Sequence, residues 1–188
     1  MTRGRAAAEA EVTQGGDDPP PVTPGSARRE EILDRAEEIV EAEGLEALTM
    51  RRLAEAVGIR APSLYKHLAD KEELEAGLQE RALLAVGAAL REAGPDPHAV
   101  GAAYRKWALA HPGLYRLATD RPLGRARLAP GVEAWSAAPV VELVDGDEHR
   151  SRALWASAHG LVLLELADRF PPEADIAAAW DVLIDSLV

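Results

Sequence analysis

TMRRLAEAVGIRAPSLYKHL, running from Thr49 to Leu68, reads as two short helices joined by a tight turn. Thr49 caps a helix start with its hydroxyl, and Leu53, Ala54 and Val57 share one face of the segment from Met50 to Val57. Gly58 supplies the positive φ that a sharp turn needs. The next helix begins at Pro62, where proline is tolerated because a first-turn amide has no intrahelical acceptor, and it ends near Leu68. Ala54, Gly58 and Leu64 stand where a helix-turn-helix needs a small residue at the crossing, a glycine in the turn and an apolar anchor in the second helix. In that geometry the second helix enters the major groove of duplex DNA with its first turn leading, which turns Arg60 to His67 toward the bases.

The pattern on either side extends the helical reading. Ser26 caps a first helix whose apolar stripe is Ile32, Leu33, Ala36, Ile39 and Val40, and Gly44 ends it, leaving Leu45 and Leu48 in the loop beyond. Asp70 caps a fourth helix with a stripe through Leu74, Leu78, Ala82, Ala85 and Ala89, stopped by Gly94-Pro95-Asp96-Pro97. Proline and glycine signals then divide the remainder into helices at about 98 to 110, 112 to 119, 130 to 143, 149 to 168 and 173 to 187. No stretch alternates like a strand, so the expected class is all-α. An N-terminal three-helix helix-turn-helix domain (26 to 71) is joined by a long helix to a helical ligand-binding and dimerisation domain (72 to 188). Residues 1 to 25, rich in Ala, Gly, Pro and charge, read as a disordered arm, in which Arg3 and Arg5 are either solvated or minor-groove contacts.

A net charge of −11 argues against nucleic acid until its distribution is considered. From Thr49 to Lys71 five basic residues face two acidic ones, a local balance of +3 on a remainder of −14. A basic island on an acidic body docks on DNA in one orientation while the rest discourages unspecific contact.

The segments GLEALTMRRLA (Gly44 to Ala54), GIRAPSLYKHL (Gly58 to Leu68) and DKEEL (Asp70 to Leu74) together resemble the DNA-binding domain of TetR-family repressors. The resemblance implies that Thr49, Arg51, Tyr65 and Lys71 clamp backbone phosphate, while Arg60, Ala61, Ser63 and Lys66 face base edges of a palindromic operator. Alanine at 61 offers only a methyl to thymine, so base choice would rest on Arg60 and Lys66, whose preferred partner is guanine. Tyr65 has a second reading as a ring closing the small core. His67 is either a DNA contact or a favourable cation at the helix end. Arg52 reads as a solvated residue or an intradomain salt-bridge partner more than a DNA contact.

Aromatic residues make up only 4% of the chain, yet Tyr104, Trp107, Tyr115, Trp135, Trp155, Phe170 and Trp180 all fall in its second half. Rings set among alanines either prop open a cavity or fill an ordinary core. The ligand-binding candidates are Tyr104, Trp107, His111, Tyr115, Trp135, Trp155 and His159. The segment from Ala103 to Tyr115, with WASAHG (Trp155 to Gly160), resembles the TetR C-terminal subgroup named for its Trp-His-Gly signature. Trp155 and His159, four apart, share a helix face, and Gly160 would permit close helix approach. Leu154, Ala158, Leu161 and Leu164 on one helix, and Ile176, Trp180, Leu183 and Leu187 on the next, exceed what a small domain buries internally. In the resembled family the last two helices form a four-helix bundle across a two-fold axis, so a homodimer is expected.

Other classes find little support. With no cysteine there is no disulfide, thiolate metal site or thiol nucleophile, and no apolar run approaches the roughly 20 residues of a membrane span; a cytoplasmic protein is expected. The five histidines form no close pair or His-Glu-x-x-His frame, so no metal is expected. Glu165 and Asp168 near His159 lack any nucleophile elbow, phosphate loop or dinucleotide fingerprint, so no catalytic residue and no cofactor are assigned. The resulting expectation is a repressor released by a small, largely apolar effector, uncharged or cationic in view of the many acids. A regulator without effector, or a helical small-molecule enzyme or binding protein, are the competing readings.

Overall fold

The computed structural model describes residues 18 to 21 and 25 to 188, so the reading of Arg3 and Arg5 lies outside the described residues. Among the described residues the regular structure is entirely helical. The elements are α1 (Ala27–Glu43), α2 (Met50–Val57), α3 (Ala61–Leu64), α4 (Lys71–Glu92), α5 (Pro97–Ala110), α6 (Pro112–Asp120), α7 (Val132–Glu142), α8 (Glu148–Leu166) and α9 (Ile176–Leu187). Single 3-10 turns at Leu45–Ala47 and Arg125–Arg127 were not foreseen in the sequence.

The starts follow local chemistry. The side chains of Ser26, Thr49 and Asp70 each accept the backbone N–H of the residue three further on, as the sequence anticipates, and Asp96 and Asp175 do the same for α5 and α9. Gly44 and Gly58 end α1 and α2 with φ of 85° and 72°, values a side chain disfavours.

Two apolar cores share α4. Leu74, Leu78 and Ala82 pack with Ile32, Leu33, Ala36, Leu53, Leu64 and Leu68 around the helix-turn-helix, whereas Leu90 belongs to a second core with Val100, Tyr104, Tyr115, Val162 and Trp180. The stripe expected through Ala85 and Ala89 is therefore corrected: Ala85 is exposed and Leu90 is buried. Burial continues in steps of four, and each such step rotates about 40° round a helix of 3.6 residues per turn. The N-terminal half of α4 thus faces α1 and its C-terminal half faces α5 and α7.

The first core does not stop at the helix-turn-helix. Leu114 and Leu117 of α6 complete it, and the start of α6 is seated directly on α1. The Glu41 carboxylate accepts the N–H groups of Gly113 and Leu114, both at 2.9 Å, so it satisfies two orphan amides of α6 from another helix. Gly113 is obligatory there, because a β-carbon would fall well inside contact distance of the Val40 carbonyl. The approach expected at Gly160 is corrected, since a β-carbon there meets open space within this chain.

A second close crossing joins α4 to α7. A β-carbon on Gly87 would collide with the Trp135 ring and the Ser136 backbone. Pro139, inside α7, has no N–H to offer the Trp135 carbonyl. Arg91 of α4 donates to that carbonyl instead, Nη2 to O at 2.6 Å, and lays its guanidinium 3.8 Å above the Trp135 ring. One arginine thereby repairs the bond that proline removes.

The seating of α6 on α1 should be sensitive to single atoms. Gly113→Ala should cost on the order of 1–3 kcal/mol through overpacking, and Glu41→Ala roughly 2 kcal/mol through loss of two charge-assisted bonds. Both are read as a lower urea midpoint at constant slope. A Gly113→Ala midpoint equal to the parent's would show that α6 has room to withdraw.

Candidate functional site

The helix-turn-helix presents its polar residues outward. Leu53, Leu64 and Leu68 are fully buried, which fixes α2 and α3 and leaves Thr49, Arg51, Arg60, Tyr65, Lys66 and Lys71 exposed, with Ala61, Ser63 and His67 half-buried. Tyr65 is 53% exposed, so the reading of its ring as a core plug fails. The third helix is shorter than the expected span to Leu68. Ser63, Lys66 and His67 donate their N–H groups to carbonyls three residues back (Arg60, Ser63 and Leu64), and α geometry ends at Leu64.

The electrostatics of this face differ from those of the body. Arg52 is held by Glu43, its Nε 3.1 Å from both carboxylate oxygens, as the sequence anticipates, and this pair draws the Glu43 carboxyl below its usual range. Lys71 reaches Glu75 at 3.4 Å. Among the described residues Arg51, Arg60 and Lys66 make no ion pair, although carboxylates outnumber cations in the chain. Three unneutralised cations with an exposed tyrosine form a surface shaped for anions.

A cavity of about 1050 Å³ lies between α4, α5, α6, α7, α8 and the segment from Arg121 to Gly131. Tyr104, Trp107, Tyr115 and Trp155 line it, with Val86 and Leu90 among its aliphatic walls. Three of the expected lining residues are elsewhere. Trp135 is buried against Arg91, His111 joins α5 to α6 with its ring on Trp107, and His159 stands behind Tyr115.

Tyr104, Tyr115 and His159 form a chain, with the two hydroxyls 3.1 Å apart and Tyr115 Oη 2.6 Å from His159 Nδ1. Both hydroxyls and the imidazole Nδ1 are satisfied when neutral His159 accepts from Tyr115 and Tyr115 accepts from Tyr104. Trp155 stacks on the far side of the imidazole, with 13° between the planes. Burial raises the pKa of both hydroxyls and lowers that of His159, against a weak opposing pull from Asp120. The chain therefore stays uncharged near neutrality.

The sequence reading missed the charged rim. Arg121, Arg125 and Arg152 line the cavity with Glu133 and Glu148. The same segment grips the helix-turn-helix. Arg127 binds both oxygens of the α4 cap Asp70 at 2.9 and 2.8 Å, which holds that carboxyl below its usual range, and Arg121 Nη2 reaches Glu46 Oε1 at 3.1 Å. Fully buried Gln79 pins the segment to α4, donating to the Pro122 carbonyl at 3.2 Å and accepting from Gly124 at 2.9 Å. Three arginines within seven residues of an acidic chain were the available signal; Arg121-Pro122 reads in sequence only as a helix stop.

The lowered His159 pKa carries a sign. Between the folded value and the ordinary 6.5, the unfolded chain holds a proton that the folded chain lacks, so stability is full above that window and falls as pH drops through it. Thermal midpoints should decline from about pH 7.5 to 5.5, and His159→Asn, which keeps an acceptor for Tyr115, should flatten the decline. Parallel curves for variant and parent would assign the pH dependence to other groups.

Comparison with known proteins bears on both regions. Residues 32–78 match the family described as bacterial regulatory proteins, tetR family, and residues 97–187 match the tetracyclin repressor-like C-terminal domain. The uncharacterized HTH-type transcriptional regulator Rv0681 of Mycobacterium tuberculosis (strain ATCC 25618 / H37Rv) is 31% identical over 157 residues, 76% of this chain and 72% of that protein. Among solved structures, SCO4313 superposes with a TM-score of 0.69 at 26% identity, covering 85% of this chain and 94% of the other. BioQ, solved with its double-stranded DNA operator, gives 0.58 at 21% identity over 85% and 96%, a likeness of fold. The helix-turn-helix, the helical second half and these matches agree: the chain belongs to the TetR family of bacterial transcriptional regulators, which bind DNA through their N-terminal domain.

Proposed function

We propose that this chain is a homodimeric, non-catalytic repressor that leaves a palindromic operator when a small molecule occupies the cavity. The observation that carries the DNA half is the absence of ion pairs at Arg51, Arg60 and Lys66, which lack the acidic partners that most other arginines among the described residues possess. Phosphate and guanine are the partners that such groups accept. In this reading Thr49, Arg51, Tyr65, His67 and Lys71 meet the backbone, and Arg60, Ala61, Ser63 and Lys66 meet base edges. Lys71 leaves an exposed i,i+4 pair to do so, at a cost of about 0.3–0.5 kcal/mol. Since an operator lies in the cytoplasm, the protein works there; no described helix is long and apolar enough to cross a membrane.

Two-fold symmetry requires a second copy, and α8 with α9 offers the face. The residues expected to form it are only partly available: Leu154, Ala158 and Trp180 are buried inside the chain, and Leu161, Ile176, Leu183 and Leu187 are half-buried. The outward remainder is Ala156, Ser157 and Leu164 on α8, with Ala178 and Val182 on α9, of which Leu164 is 44% and Val182 66% exposed. Gly160 opens onto space in this chain, so in this reading its close approach is to the other copy.

A gel shift against the DNA flanking its own gene tests the operator reading. Arg60→Ala should lose about 1–3 kcal/mol on the preferred site and relax base choice, whereas Lys71→Ala should weaken all duplexes alike. Equal losses on specific and random DNA for both variants would overturn the assignment. For the dimer, Leu164→Glu and Val182→Glu should each sediment as a folded monomer that binds the operator far more weakly. Dimers persisting in both would remove this face from the reading.

A further inference from the structure

We propose, building on the ligand cavity above, that its occupant is an amphiphilic monoanion whose charged end is taken by Arg121 in competition with Glu46. The body of the cavity is apolar and aromatic, with Tyr104, Trp107, Tyr115 and Trp155 beside Val86 and Leu90. Its charges are unequal, three arginines against two glutamates. Arg125 is paired with Glu133 and Arg152 with Glu148, at 2.7 Å in each case, and those glutamates line the same cavity. Arg121 is the lining cation whose counter-ion, Glu46, stands outside the lining. The lining therefore carries a net formal charge of +1, and Arg121 is the lining arginine whose carboxylate partner is not itself in the lining.

Two further features of Arg121 point the same way. Its Nε is buried without an acceptor, a costly state for a guanidinium N–H. Its existing partner is weakly held, because the Glu46 side chain is 92% exposed and that bond is screened by water. A carboxylate delivered among aromatic walls interacts with the same cation at lower dielectric than bulk water gives Glu46. An anion arriving by the cavity wins the guanidinium from an anion in bulk water.

The exchange would be felt in the DNA-binding domain. Glu46 sits in the 3-10 turn Leu45–Ala47, directly before Thr49, the cap of α2. Moving Arg121 from Glu46 to the ligand removes one of two guanidinium bridges between the segment from Arg121 to Gly131 and the helix-turn-helix, leaving Arg127 on Asp70. A neutral or cationic occupant, as the sequence alone suggests, would leave both in place, whereas the anion proposed here releases one.

Indole fluorescence of the full chain, reporting through Trp107 and Trp155, tests this with three probes of equal chain length below their micellar concentrations: decanoate, 1-decanol and decyltrimethylammonium. Decanoate should bind at least tenfold tighter than the other two. Arg121→Gln should abolish that preference while leaving 1-decanol unchanged, and Glu46→Gln, which removes the competitor at an exposed position, should tighten decanoate severalfold. Should Arg121→Gln fail to fold, the Glu46→Gln arm decides alone. Equal binding of decanoate and 1-decanol, or decanoate unaffected by Glu46→Gln, overturns the anionic reading and leaves the cavity as a ligand site. Absence of any response to all three probes overturns the ligand reading and this proposal with it.

Discussion

The contact between the carboxylate of Glu41 and the first amides of α6 governs how the halves of this molecule relate. Glu41 follows Val40, which is buried in the first core, and Gly113 precedes Leu114, buried in the same core. Two residues of α1 and two of α6 thus make a joint in which the Glu41 side chain caps α6 and backbone lies against backbone at Gly113. Tyr115, one residue further along α6, lines the cavity. A packed joint of this kind has few intermediate positions, because close-packed interiors transmit displacement instead of absorbing it. The three-helix domain is accordingly not a freestanding unit joined by a linker; its core is completed by the wall of the cavity.

Beside this stiff route runs a softer one. The segment from Arg121 to Gly131 contributes Leu123, Leu128 and Pro130 to the cavity and touches the helix-turn-helix through exposed ion pairs. Such pairs contribute little to stability one at a time. Their value lies in being exchangeable: a bridge of small net energy can be broken without unfolding its surroundings. Gln79, fully buried and bonded to this segment through both ends of its amide, keeps the exchange local by tying the segment to α4.

Much of this was legible in the chain. Apolar periodicity and the caps Ser26, Thr49 and Asp70 located α1, α2 and α4, because such caps act within three residues of themselves and need no tertiary information, and proline and glycine signals located the helices beyond. The helix-turn-helix face was legible for the same reason: Leu53, Leu64 and Leu68 point inward, and what lies between them points out. Trp135 was not, because its place depends on Pro139 freeing a carbonyl and on Arg91, 44 residues away, answering it. Arg121 was invisible as a cavity residue because its surroundings are assembled from five helices. Gly160 is the opposite case, a local rule for which this chain itself supplies no neighbour.

The acidic composition takes a different meaning once the pairs are placed. Arg81 of α4 alone engages Glu30, Asp34 and Glu37 of α1, at 2.8, 2.8 and 3.3 Å, so a good part of the excess acid is spent gathering α1 onto α4. Arg105 and Glu165 similarly tie α5 to α8. Against that background Arg51, Arg60 and Lys66 on the helix-turn-helix, and Arg121 in the cavity with its counter-ion beyond it, stand out, although Lys106 and Arg169 likewise make no ion pair among the described residues. In a chain with carboxylates to spare, leaving a cation short of them has to be arranged by the fold. On the proposals made for the two regions, both external ligands would be anionic, phosphate at the helix-turn-helix and a monoanion in the cavity.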